Sequence, residues 1–177
     1  MPRKPRIQYA GAIYHVMSRG NRGATVYEDD TDRSEFLTTL GQACNKTGWR
    51  VHAYVLMGNH FHLLVETPES NLVSGMQWLQ STYTQCHNER QAEQLKAKAL
   101  RLVALTEASL KTLPKGSVEK EVLAWYIHGR TMVSNEWLSE QLHCGHPGNI
   151  PRYVKAVDTS KDKAVISLKE ALLKCED

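Results

Sequence analysis

The chain has 177 residues, of which 41% are hydrophobic and 23% charged, with a net charge of +3. That length suits one ordinary domain with a small second unit, and the apolar content can build a real core. So mild a basic balance does not identify a nucleic-acid binder, and no apolar run approaches the roughly 20 residues that cross a bilayer.

The first charge cluster is Arg3, Lys4 and Arg6, a pattern that serves either a phosphate or a solvated tail. No signal-peptide pattern accompanies it, so a cytoplasmic location is expected. Residues 12 to 18 alternate and contain β-formers, which predicts a strand ending at the turn Arg19-Gly20-Asn21-Arg22-Gly23. Asp29, Asp30, Thr31 and Asp32 offer helix N-caps. From Arg33 to about Lys46, Phe36, Leu37, Leu40 and Ala43 recur at helical spacing, and Gly48 closes the helix. A strand follows from Trp49 to Met57, then the turn Gly58-Asn59, then a strand from His60 to Thr67 ended by Pro68. Asn71 to about Arg90 reads as a second helix carrying Leu72, Met76, Leu79 and Tyr83.

Strand, helix, strand, strand, helix predicts an α+β fold, a ferredoxin-like antiparallel sheet with helices on one face. The final strand of that pattern is not evident. Residues 91 to 112 read as helix, and Pro114-Lys115-Gly116 breaks the chain. Short helices then begin near Ser117, at Ser134 and at Pro147, with Gly145 before the last. These suggest either a helix-turn-helix or a generic three-helix packing unit. The expected division is 1–90, an α+β domain; 91–116, a helical connector; and 117–177, a helix-turn-helix-like extension. Cys44, Cys86, Cys144 and Cys175 form no CxxC pair and read as reduced thiols.

Residues two apart on a strand share a face. His60 and His62 therefore project both imidazoles from one surface, while Phe61 points into the core. Such a pair suits one divalent metal ion, completed by a ligand from elsewhere in the fold. Glu66 is either an extra ligand or a surface residue at the strand end.

The run His52-Ala53-Tyr54-Val55-Leu56-Met57-Gly58-Asn59-His60-Phe61-His62-Leu63-Leu64-Val65-Glu66-Thr67-Pro68 resembles the signature of REP-associated tyrosine transposases. These belong to the larger group of HUH single-strand DNA nucleases. Gly11-Ala12-Ile13-Tyr14-His15-Val16 with Arg19-Gly20-Asn21-Arg22 resembles the family's first strand and basic turn. Residues 71 to 83 resemble its second helix, so the likeness covers roughly residues 1 to 90. The resemblance implies that His60 and His62 hold Mg²⁺ or Mn²⁺, and that a tyrosine attacks single-stranded DNA beside a short hairpin. A 5′-phosphotyrosine link forms, and the freed 3′-OH serves strand transfer. Arg3, Lys4, Arg6, Arg19 and Arg22 would serve phosphates.

Family members continue into a further strand and a helix carrying Tyr-Ile-x-x-Asn-Pro, and no such segment is found here. Tyr126, in Trp125-Tyr126-Ile127-His128, has Arg130 where the family has Asn. Tyr83 has His87 one helical turn on. These two tyrosines are the candidate nucleophiles. The alternative is a non-catalytic protein that recognises hairpin DNA, or a structural protein, with a second copy of the chain as a candidate partner through an open sheet edge.

Overall fold

The computed structural model describes residues 7–174, so Arg3, Lys4, Arg6 and Cys175 lie outside the described residues. The chain divides into two compact units, Met1–His87 and Asn88–Asp177.

In the first unit, β1 (Ala12–Arg19) leads through the basic turn to α1 (Asp30–Thr47). The Asp29 carboxylate caps α1 by accepting from the Asp32 backbone N–H, and Gly48 ends it in the left-handed conformation. Next come β2 (Arg50–Met57), β3 (His60–Thr67) and α2 (Leu72–Leu102). The sheet order is β1-β3-β2, with β3 antiparallel to both neighbours. β1 and β2 thus run parallel around an inserted β3, as the ferredoxin-like pattern requires. Among the described residues no fourth strand follows α2, so β1 keeps an unpaired edge.

The core lies on one face of this sheet. Val16, Phe61, Leu63 and Val65 meet Phe36, Leu40 and Ala43 of α1 and Leu72, Met76, Leu79 and Tyr83 of α2. Trp49 fixes the approach of α2: its indole N–H donates to Asn71 Oδ1 at 2.8 Å, and Asn71 Nδ2 donates to the Thr47 carbonyl at 2.9 Å. The ring then lies so close to α2 that a Cβ on Gly75 would stand 2.1 Å from it.

The sequence places the end of the second helix near Arg90, yet α2 runs on to Leu102. Residues 91 to 102 contain no Gly or Pro and are rich in Ala, Leu, Lys, Arg and Gln, so nothing stops the helix. The stop comes at Ala104, whose φ is +53°. Ala92, Ala99, Leu100 and Leu110 are buried in the core of the second unit.

That second unit contains α3 (Glu107–Thr112), α4 (Val118–His128), α5 (Asn135–Gln141), α6 (Asn149–Thr159) and α7 (Lys163–Leu173). α7 was not anticipated; it is N-capped by Asp162, whose carboxylate accepts from the Ala164 backbone N–H. Lys120 is almost fully buried, and its ammonium donates to the carbonyls of Leu113 and His143, each at 3.0 Å. Burial lowers its pKa from 10.5.

These contacts set how each unit should respond to substitution and to pH. Gly75→Ala should destabilise the first unit by about 1 to 3 kcal/mol in urea unfolding, because the clash with Trp49 exceeds the helix-propensity gain. Lys120→Ala strands two carbonyls and should cost the second unit roughly 2 to 4 kcal/mol. Because the unfolded chain holds the Lys120 proton more tightly than the folded one, wild-type stability relative to Lys120→Met should rise as pH approaches 10.5.

Candidate metal and nucleic-acid site

β3 is the central strand, and its alternation separates core from site. Phe61, Leu63 and Val65 are buried, whereas His60 and His62 are half-buried and project from the face opposite the helices. On that face the register sets Arg19 and Met57 beside His60, and Met17 and Val55 beside His62. Ile13, Met17, Val55, Met57 and Leu64 are all exposed there. The helix-free face is therefore apolar around two imidazoles, with the backbone of Arg19 paired directly to His60.

The two rings meet edge-on, with centroids 5.2 Å apart. Each has its Nδ1 engaged. His60 Nδ1 lies 2.8 Å from Asn59 Oδ1, which can only accept, so this nitrogen carries the proton. The Asn59 amide is oriented in turn by its Nδ2, which donates to the Gly23 carbonyl at 3.4 Å. His62 Nδ1 lies 2.9 Å from His15 Nε2, and the two rings stack at 9°. His15 sits opposite Leu64, one diagonal step from His62. Nε2 is then the remaining nitrogen of both His60 and His62. This is the arrangement of metal-binding histidines whose other nitrogen is held by a neighbour. Both Nε2 atoms could therefore serve as ligands to a divalent ion.

The basic turn is tied to the same hairpin. Gly20 N–H donates to the Asn59 carbonyl at 3.0 Å, and the N–H groups of Val26 and Tyr27 donate to the Gly58 carbonyl at 2.8 and 3.1 Å. Gly20 is needed: a Cβ there would lie 2.2 Å from the Ala24 carbonyl oxygen. Arg19 folds toward Gly23, and Arg22, at φ +54°, is exposed. The basic turn that carries Arg19 and Arg22 is thus tied to the turn that precedes His60.

The other candidates lie elsewhere. Glu66 shares the histidine face but sits four residues beyond His62, roughly 13 Å along the strand. Its carboxylate pairs with Arg50 at 3.2 Å and His52 at 3.0 Å. Tyr83 lies under the sheet, packed on Phe36, with its hydroxyl donating to the Val26 carbonyl at 3.0 Å. Burial, then the charges of Glu35, Asp29 and Glu28, push its pKa upward, away from nucleophilic use. Tyr126 is 1% exposed within the core of the second unit, with Arg130 stacked 4.1 Å from its ring centre.

Among the described residues, one His/Asp/Glu group brings its ligand atoms within 4.8 Å of one another: Asp32, Glu35 and His87. It lies on α1 and α2, away from the histidine face. Asp32 already accepts from the Glu28 N–H at 2.6 Å and pairs with His87 at 3.0 Å, so these contacts build the helix start.

Sequence reasoning missed His15 and Asn59 as parts of the site. His15 could have been found from strand parity once β1 was paired to β3. Asn59 carried a turn signal that concealed its second use.

Residues 8–130 match the model of the family described as "Transposase IS200 like". The match extends past residue 90 and takes in Tyr126 and Arg130. Comparisons with curated proteins and with solved structures gave no match. On the strength of the family match, which spans well over half of the chain, this protein belongs to the IS200-like transposases.

Proposed function

We propose that this chain binds single-stranded DNA beside a hairpin on its histidine face and, with Mg²⁺ or Mn²⁺, cleaves and rejoins it through a phosphotyrosine link, in the REP-associated manner. The observation that carries the reading is the pairing of His60 and His62, each with Nδ1 engaged, across from Arg19 on a helix-free sheet. A divalent ion held by the two Nε2 atoms would withdraw charge from a phosphate oxygen. Arg19 and Arg22 neutralise the flanking phosphates, and the exposed apolar residues around them accept unstacked bases.

Both candidate nucleophiles are core residues, Tyr83 bound to the Val26 carbonyl and Tyr126 1% exposed in the core of the second unit, so the adduct experiment below names the tyrosine. In the reaction a tyrosine Oη–P bond forms and the P–O3′ bond breaks. The phenol proton leaves to solvent and the 3′ oxygen gains one. A second reading is binding without cleavage, favoured by the burial of both Tyr83 and Tyr126. It is the outcome if the DNA binds but no covalent adduct forms.

The decisive experiment mixes the full chain with labelled single-stranded hairpin DNA and Mn²⁺ and runs a denaturing gel. The expected result is a covalent adduct lost in His60→Ala and His62→Ala and in one of Tyr83→Phe and Tyr126→Phe, which names the nucleophile. DNA binding with no adduct in either metal would overturn the cleavage reading. A second prediction concerns the metal alone. Calorimetric titration of Mn²⁺ without DNA should weaken by about 10- to 100-fold in Asn59→Ala and in His15→Ala. His15→Gln, which restores an acceptor for His62, should recover part of that loss.

A further inference from the structure

The second unit presents a separate surface that the reading above does not use. α5 and α6 are joined by a turn locked at several points. His143 takes φ +52° and Gly145 φ +85°. Lys120 donates to the His143 carbonyl at 3.0 Å, the Ser139 hydroxyl donates to the Gly145 carbonyl at 2.5 Å, and Asn149 Nδ2 donates to the Cys144 carbonyl at 3.2 Å. Leu138, Ser139, Leu142 and Cys144 are buried between the helices.

α6 is sharply two-faced. Ile150, Tyr153 and Val157 are buried, at the spacing of an inward stripe. Arg152, Lys155, Ala156 and Thr159 are exposed at positions i, i+3, i+4 and i+7. That outward stripe carries two cations and no acid. Asp158, the acid of this helix, is turned to Trp125, whose indole N–H donates to it at 2.6 Å. Lys161 and Lys163 follow directly beyond the helix. No bulky apolar side chain interrupts the stripe, and Ala156 leaves its centre low.

We infer that α6 is a recognition helix for double-stranded DNA, a second binding site distinct from the histidine face, with Arg152 and Lys155 as its contacts in the major groove. The topology is that of a helix-turn-helix, in which the second helix enters the groove with its N-terminal half against base edges and phosphates. The charge is complementary to phosphate. Duplex is favoured over single-stranded DNA because the stripe offers no aromatic or bulky apolar side chain on which an unstacked base could rest. Here Tyr126, Trp137 and Tyr153 are turned inward, and the half-buried Trp125 ring is covered by the Lys169 ammonium at 4.5 Å and held by Asp158.

The test is fluorescence anisotropy of the full chain on a labelled mixed-sequence duplex across a salt series, with an oligo-dT single strand as comparison. Arg152→Ala/Lys155→Ala should weaken duplex binding by roughly tenfold or more and lower the salt slope by about 2. Ala156→Glu, which leaves the buried stripe intact, should weaken it likewise. Lys111→Ala/Lys174→Ala removes the same charge away from the stripe and should bind as wild type. Duplex binding unchanged in the first two variants overturns the assignment. So does an equal loss in the Lys111/Lys174 control, which would make the attraction one of total charge. An equal loss of oligo-dT binding in the stripe variants would assign the stripe to single strands. Mn²⁺ binding at His60 and His62 should be unaffected in every variant, so failure here and failure of the cleavage reading are separable.

Discussion

The two-residue period of β3 is the constraint from which the first unit follows. As the middle strand it is paired on both edges, so its register cannot drift without moving β1 and β2 together. Phe61, Leu63 and Val65 bind it to the helical layer. A slip of one residue would bury His60 and His62 and expose those three. The burial that stabilises the sheet is therefore also what aims the histidines outward. The same pairing brings Arg19 to His60 and Met17 to His62.

Orientation of the imidazoles is a second layer built on that first one. Asn59 ends the β2–β3 turn, and its amide joins His60 to the Gly23 carbonyl. The basic turn, the hairpin and one histidine are thus coupled through a single side chain. His15 does the corresponding task for His62 from the neighbouring strand. Held in this way, each ring needs little reorganisation to offer Nε2 to a metal, which is how neighbours of ligating histidines raise affinity.

The second unit is organised by a buried cation rather than by a sheet. Lys120 joins the end of α3 to the turn after α5 by donating to carbonyls that no helix satisfies. With the turn held, Ile150, Tyr153 and Val157 seat α6 and leave its basic stripe outside. The nearby Cys144 thiol is pushed up to about 11 by burial and so stays a neutral, inert core group.

Much of this was legible in the chain itself. Period-two alternation gave three strands, helical spacing gave α1 and the start of α2, and strand parity put His60 and His62 on one face. Those are local properties, set by backbone geometry and by which side chains avoid water. What the sequence could not supply were facts that depend on residues far apart. The pairing of β1 with β3 brings His15 to His62, although 47 positions separate them. Packing under the sheet, not spacing from His87, made Tyr83 a core residue. Lys120 looks like an ordinary residue of a helix's first turn, and only the folded unit surrounds it with carbonyls. The sequence by itself determined the elements, the family signature and the face of the histidines. Tertiary structure alone decided what touches them, because long-range pairing and burial leave no periodic trace in a single chain.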